Sequence, residues 1–565
     1  MRKVRVVLCV ILAMAMVFAL FACNKADTPD NAPAGNDGGS QTNAPAGNDG
    51  GSQANAPGGN DSGGGAPAAS SADIPKSITI GVTGSLGRFI HGSQPMSNWS
   101  ACDAVYDRIF YIDGETNEVF SEVLEDFYYE DDNTLVLKLK QGVYFSNGEE
   151  ATAEDLLFSF TNHIERSSVF VSRMGPVNWE QSSIVDDYTL VLKFDLPYPS
   201  VLYTIQYLFD KSWADEVGWD SEEWYNPVGS GPYYAAEYVA DDHITLRLRD
   251  DYWNKDHQDY AVEEWIIRYF PDASTMYMEL ERGTISWCEV AGVDYSRFLK
   301  EGSSEPVGVN KIDMGTLTYF GMGLLDNEYW RDIEVRRAFF YGVDWEEVGI
   351  AGWGDLFESS KSPLLPRNAP LYFEPGPYEF NPELAKQILA DAGYQPGQIS
   401  FHFFMMDRPH YRDGLETIQY YCSQIGINVD IDFSDTTTVL TKWREIGGSD
   451  GGFMMNIDGS PAYDPVALGL LSFNNIDSTK WNYIPDETLW QMIADAVYCI
   501  DADTQRDLYN KLAQYLYDQV LIIPVSGYNV AVGYRTDVFT SEQITKNSFT
   551  NQYLWLTNLG RASAW

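Results

Sequence analysis

The sequence predicts an α/β fold, and three observations carry that prediction. Three segments of the amino-terminal half alternate apolar and polar residues with period two, each directly after a pair of acidic residues. The carboxyl-terminal half alternates helix and strand signals. The chain from about Ile74 onward is long enough for two lobes or more.

The period-two segments come first along the chain. Asp131-Asp132-Asn133 precedes Thr134 to Lys140, where Leu135, Leu137 and Leu139 alternate with Thr134, Val136 and Lys138. Asp186-Asp187 precedes Tyr188 to Phe194, with Tyr188, Leu190, Leu192 and Phe194 in alternation. Asp241-Asp242 precedes Ile244 to Arg249, with Ile244, Leu246 and Leu248 on one face. One apolar face at period two means a half-buried strand, and the acidic pair ahead of it is turn chemistry.

The second half reads differently. Asn381 suits an N-cap, Pro382 the first helical position, and Leu384, Ile388 and Leu389 form a stripe that Gly393 can close. A second helix is expected over about 412–425, with Leu415, Ile418, Cys422 and Ile425 on one face and Gly426 as its stop. A strand from Ile427 to Ile431 follows it. A third helix, about 504–518, carries Leu508, Leu512, Tyr515 and Leu516 and leads into a buried strand, Val520 to Ile523. Strand–helix–strand order implies parallel pairing.

The amino terminus sets the compartment. Arg2, Lys3 and Arg5 precede an apolar stretch from Val6 to Phe21, which reads as a signal peptide over residues 1–22. Leu20-Phe21-Ala22-Cys23 resembles the bacterial lipobox, which makes Cys23 the expected lipidation site; an ordinary secretory signal followed by a chance cysteine is the alternative. A diacylated cysteine supplies the two chains that stable anchoring needs. Residues 23–73 read as the lipidated cysteine and a disordered Gly/Asn/Pro/Ser tether, because the run that begins Asn31-Ala32-Pro33 recurs from Asn43 and Asn55 without an apolar face to stack. Such a tether reaches about 40 Å. The expected location is the cell membrane, lipid-anchored on the extracellular face, or on the periplasmic side of a double envelope.

Composition excludes some functions. A formal charge of -45 repels the phosphates of nucleic acid. Cys102, Cys288, Cys422 and Cys499 lack CxxC spacing, and the six histidines show no paired ligand spacing, so neither a metal site nor a cofactor is expected. Gly229-Ser230-Gly231 is too tight for a nucleophile elbow. A secreted glycoside hydrolase is the rival from another class, because 82 acidic residues leave a catalytic carboxylate pair open.

Five blocks resemble one family, the bacterial extracellular solute-binding proteins of family 5, which serve peptide and nickel importers. They are Gly142-Val143-Tyr144-Phe145-Ser146-Asn147-Gly148 with Thr152-Ala153-Glu154-Asp155; Asn226-Pro227-Val228-Gly229-Ser230-Gly231-Pro232-Tyr233 through Trp253; Asp332-Ile333-Glu334-Val335-Arg336-Arg337-Ala338-Phe339; Phe380-Asn381-Pro382-Glu383 through Tyr394; and Arg506-Asp507-Leu508-Tyr509 into Pro524. Thr152 with Asp155 three residues on also resembles a capping box.

The resemblance implies a two-lobed periplasmic-binding-protein type II fold. Lobe I covers 74–315 with an extra subdomain at about 112–222, lobe II covers 316–526, and 527–565 returns to lobe I. Hinge strands are expected near Gly315 to Phe320 and Val525 to Val530. The implied protein is no enzyme. It is a monomer that closes on a small solute, an oligopeptide or dipeptide in the first place, and delivers it to an ABC transporter permease. Oligosaccharide and metal chelate stay open as solutes.

The resemblance also proposes ligand-binding residues. Asp458 matches the aspartate that pairs with a peptide's amino terminus, or it shapes a turn beside Gly459. Trp353, in a Gly-Trp-Gly loop, is a stacking platform or a core residue. Tyr319 offers its ring or backbone to ligand, or packs in the core. Ser85 sits in the opening loop after the first strand. Tyr528 follows the second hinge.

Overall fold

The computed structural model describes residues 74–561 apart from internal segments, the longest of which are 91–98, 163–173, 444–451, 458–483 and 550–558. All described residues lie in the unit Pro67–Trp565.

Sixteen strands are described. In the first half they are β1 (Ser77–Val82), β2 (Tyr111–Ile112), β3 (Val119–Phe120), β4 (Leu124–Asp131), β5 (Thr134–Leu139), β6 (Ser183–Asp186), β7 (Thr189–Lys193), β8 (Tyr233–Val239), β9 (His243–Leu248), β10 (Glu264–Tyr269) and β11 (Trp287–Val290). Then follow β12 (Val307–Met322), β13 (Ile399–Met406), β14 (Ile427–Ser434), β15 (Gly452–Ile457) and β16 (Ile522–Arg535). Eight of them form one mixed sheet in the order β15-β12-β16-β11-β1-β10-β9-β8, and β4-β5-β7-β6 form a separate antiparallel sheet.

Each acidic pair turns a hairpin, as expected. Asp131 Oδ1 accepts from the Asn133 N–H at 2.9 Å between β4 and β5, and Asp186 Oδ1 accepts from the Tyr188 N–H at 3.0 Å between β6 and β7. These bonds favour the ionised form and hold both carboxyls below the usual carboxylate range. At the third turn Asp241 takes φ +56°, a left-handed position that aspartate tolerates better than most residues. The strand faces follow the sequence: Leu135, Leu137, Leu139, Leu190, Leu192, Ile244 and Leu246 are all buried.

The helical half follows its caps. Asn381 accepts from the Leu384 N–H and Pro382 opens the helix Pro382–Asp391, with Gly393 at φ +89° beyond its end. The apolar stripe needs correction. Ala385 and Leu389 are the buried residues, while Leu384 is exposed. This helix packs on the helix Ile333–Gly342, where the Cβ of Ala385 lies 3.3 Å from the position a side chain on Gly342 would take. That close crossing turns Ala385 inward and swings Leu384, one residue or about 100° away, to solvent.

The helix Pro409–Gln424 joins β13 to β14, which pair in parallel from Ile399↔Ile427 to Met406↔Ser434. The helix Ala502–Asp518 is capped by Asp501, whose side chain accepts from the Thr504 N–H. The strand after it starts at Ile522 rather than Val520, because Val520 adopts φ +47° in the connecting turn. Thr152 and Asp155 form the expected capping box: the Thr152 N–H donates to Asp155 Oδ2 at 2.8 Å.

The two expected hinge segments fall inside β12 and β16, which run 16 and 14 residues and pair antiparallel from Val307↔Arg535 to Gly321↔Ile522. Strands this long are unusual. The register shifts between Asp313 and Thr316 and again between Thr318 and Tyr319. Pro524 sits at the second shift, where a missing N–H is tolerated.

Two buried apolar clusters result. One unites β5, β7, the carboxyl-terminal end of β12 and the helices from Trp330 to Leu516. The other gathers β1, β9, β10 and residues 101–106 under the opposite half of the large sheet.

Candidate functional site

The long strand pair organises the candidate residues. Tyr319 of β12 faces Met455 of β15 on one side and Pro524 of β16 on the other. It is 3 % exposed and packs in the larger apolar cluster. The backbone of Tyr528 pairs with Thr316 one strand away. Asp458 lies outside the described residues. Its predecessor Ile457 ends β15 opposite Leu317. Ser85 and Cys23 also lie outside the described residues.

Trp353 stands apart from that trio. It is the last residue of the helix Trp345–Trp353, and Gly354 ends the helix at φ +53°, which glycine adopts without strain. Its ring lies 5.4 Å from the His410 ring. Its carbonyl oxygen comes within 3.0 Å of where a Cβ on Gly292 would sit, just beyond the end of β11. Trp353 is 5 % exposed, yet its indole N–H has no acceptor among the described residues. A buried donor without a partner calls for a water or ligand to complete it. Burial, together with the Arg408 charge, lowers the His410 pKa to about 4, so its ring is neutral at neutral pH.

The structure adds residues that sequence reasoning passed over. Asn529 of β16 donates through Nδ2 to the Leu356 carbonyl at 2.9 Å and to Glu358 Oε2 at 3.3 Å, and its Oδ1 is buried without a partner among the described residues. The Gly527 N–H donates to the Glu358 carbonyl at 2.7 Å, which ties the chain after Trp353 to β16. Glu289 of β11 is exposed although the other three residues of its strand are buried. A cavity of about 220 Å³ opens beside Pro524 and Val525, lined by Phe340, Asp344, Trp345 and Ser360 among others.

The block from Gly229 to Trp253 packs as scaffold. Gly229 and Gly231 press against the backbone of residues 104–106, and a Cβ on Gly229 would meet the Val105 carbonyl oxygen at 2.2 Å. Between them Ser230 Oγ accepts from the Asp107 N–H at 2.9 Å. Arg249 Nη1 donates to the carbonyls of Gly229 and Gly231. Asp107 accepts from the Tyr252 hydroxyl at 2.9 Å and the Trp253 indole at 2.7 Å. The turn and the Tyr252-Trp253 pair thus meet on one buried residue, the turn at the Asp107 N–H and the pair at its carboxylate.

Comparison with known proteins agrees with this architecture. Residues 118–477 match the family model described as bacterial extracellular solute-binding proteins, family 5. The dipeptide-binding protein of Escherichia coli is 23 % identical over 496 residues, covering 79 % of this chain and 88 % of that protein. Among solved structures, the periplasmic binding protein DppA of Helicobacter pylori in complex with the peptide STSA superposes with a TM-score of 0.71 at 18 % identity, covering 82 % of this chain and 94 % of its own. NikZ of Campylobacter jejuni in complex with Ni(L-His) gives 0.69 at 17 % identity, with 82 % and 94 % covered. The fold is the type II periplasmic-binding-protein fold, and the chain belongs to the bacterial extracellular solute-binding proteins of family 5.

Proposed function

We propose that this protein is the extracellular, lipid-anchored substrate-binding component of an ABC importer, and that it captures an oligopeptide or dipeptide. The observation that carries the reading is the family match, joined to relatives named for dipeptide and oligopeptide binding. Lobe I at 74–315 with its subdomain at 112–222, lobe II at 316–526 and the return at 527–565 turn about β12 and β16. Closure favours a ligand that the closed state binds better than the open one. Asp458 receives the peptide's amino terminus through a charge-assisted hydrogen bond. Trp353 offers its unpaired indole N–H, and Tyr319, Tyr528 and Ser85 complete the cleft. Cys23 carries the lipid, the 23–73 tether lets the body meet the permease, and the protein catalyses no reaction.

A thermal-shift panel of di- to hexapeptides, oligosaccharides and nickel chelates tests the proposal, because a ligand bound only by the native form raises the melting temperature. Peptides are expected to stabilise, and Asp458→Ala is expected to abolish the shift. Stabilisation by a sugar or a chelate alone, or turnover of any member, would replace the peptide reading.

A further inference from the structure

Glu289 occupies an unusual position for an unpaired charge. Its strand, β11, lies in the interior of the large sheet, antiparallel to β16 on one side and parallel to β1 on the other. Since β1 is also parallel to β10, the three strands β1, β10 and β11 end on the same edge. Glu289 is the penultimate residue of β11, near that edge. Crevices outside the carboxyl ends of parallel strands are where open α/β sheets hold their ligands.

The surroundings are apolar. Trp287, Cys288 and Val290 on its own strand are buried, and so is Val532, its partner across β16. Glu289 alone of these reaches solvent. At the same time the protein packed around it raises its carboxyl pKa by desolvation, with no other cause acting. Glu289 thus offers an exposed carboxylate at the carboxyl edge of three parallel strands. Among the described residues its carboxylate makes no hydrogen bond and no ion pair. The nearby acids of the helix Ala273–Arg282 behave otherwise: Glu279 pairs with Arg282, and Glu281 with Arg297. A carboxylate that its surroundings partly desolvate gains from an arriving cation. The end of β11 also leads, through Gly292, to the Trp353 carbonyl, so the carboxylate and the orphan indole flank one stretch of chain.

We infer that Glu289 anchors a positively charged group of the bound solute, an ammonium or a guanidinium. The inference rests on the solute-binding reading above and sharpens it: the solute carries a cation, and β11 supplies its counter-charge. With the amino terminus given to Asp458, the cation that a peptide brings to Glu289 is a Lys or Arg side chain.

Titration calorimetry on the wild-type protein and on Glu289→Gln decides it, with tripeptides that carry lysine or norleucine, each with a free or acetylated amino terminus, and with spermidine as a non-peptide cation. Removing the responsible cation is expected to weaken wild-type binding by about 10-fold or more, and Glu289→Gln is expected to erase that difference. The norleucine arm reads the cation at Glu289, and the acetylation arm reads the amino terminus given to Asp458. Glu289→Asp, which keeps the charge, retains the preference and covers the case in which the glutamine variant folds poorly. A cation preference that persists unchanged in Glu289→Gln, or peptides bound equally with and without the cation, would overturn the role of Glu289 and leave the peptide reading standing. Binding of spermidine alone, lost in Glu289→Gln, would sink the peptide reading and keep the anchor. A panel in which nothing binds removes both.

Discussion

Arg108 and Asp103 form a two-pronged ion pair inside the protein, with Nε to Oδ1 at 2.6 Å and Nη2 to Oδ2 at 2.8 Å. Both side chains are shut off from water. The parallel geometry suits a guanidinium facing a carboxylate and would not survive replacement by lysine. Burial drives the Asp103 carboxyl upward and the Arg108 charge pulls it back. Removing one partner leaves the other charge stranded, so Arg108→Met is expected to cost about 3–5 kcal/mol in urea unfolding. Adding Asp103→Leu to that variant is expected to recover much of the loss. A single substitution that costs under about 1 kcal/mol would show that the pair is not the buried unit described.

Asp107, four residues from Asp103, gives a pH signature. Its carboxyl is pushed up to about 7, chiefly by burial and next by the charge of Glu122, against hydrogen bonds from Trp253 and Tyr252 that favour ionisation. The folded pKa therefore lies above the unfolded value of about 4. Between the two, the native state holds a proton that the unfolded state has lost, so this group's stabilising contribution is complete below about pH 4 and disappears as pH rises through about 7. The expected result is a melting temperature that declines from pH 5 to 8, with a shallower decline in Asp107→Asn. Parallel profiles for the two proteins would place the titration on another group.

The tight turn below this carboxylate is sensitive to a single methyl group. A Cβ on Gly229 would lie 2.2 Å from the Val105 carbonyl oxygen, and one on Gly231 2.7 Å from that of Ala104. Both obstacles are backbone, which cannot rotate aside as a side chain does. Gly229→Ala is expected to destabilise by about 2–3 kcal/mol, while Gly148→Ala, at φ +87° with open space around it, costs only the strain of its left-handed backbone, about 1 kcal/mol. Chemical denaturation of the two variants checks the ranking.

The hairpins and caps were legible because they are local. Asp131 and Asp186 bond to residues two positions on, and Asn381 caps three residues ahead, whereas the Asp501 cap was passed over. The segments expected from family order near Gly315 to Phe320 and Val525 to Val530 do lie in strands, although the length of β12 and β16 was not legible, because Pro524 and Gly527 interrupt any strand pattern. Glu289 carried no signal. Its strand is four residues long, and its neighbours Val82 and Val532 arrive from about 200 residues before and 240 after it. Leu384 was misassigned for a related reason: the stripe looked continuous, but only the crossing at Gly342 decides which edge of it turns inward. Trp353 was picked out for its flanking glycines, whereas its orphan N–H could be known only from the fold.

That orphan N–H supports a separable prediction. The indole N–H of Trp353 is buried with no acceptor among the described residues. Trp353→Phe keeps an aromatic ring beside His410 and removes the donor. It loses some packed volume, a cost on the order of 1–2 kcal/mol to the ligand-free protein. If the N–H meets the solute, the variant also loses one buried hydrogen bond in the complex alone, about 1 kcal/mol or several-fold in Kd. The two effects separate when the ligand-induced rise in melting temperature is measured for each protein against its own ligand-free baseline. A smaller rise in Trp353→Phe assigns the donor to the solute; an equal rise with a lower baseline assigns Trp353 to packing alone.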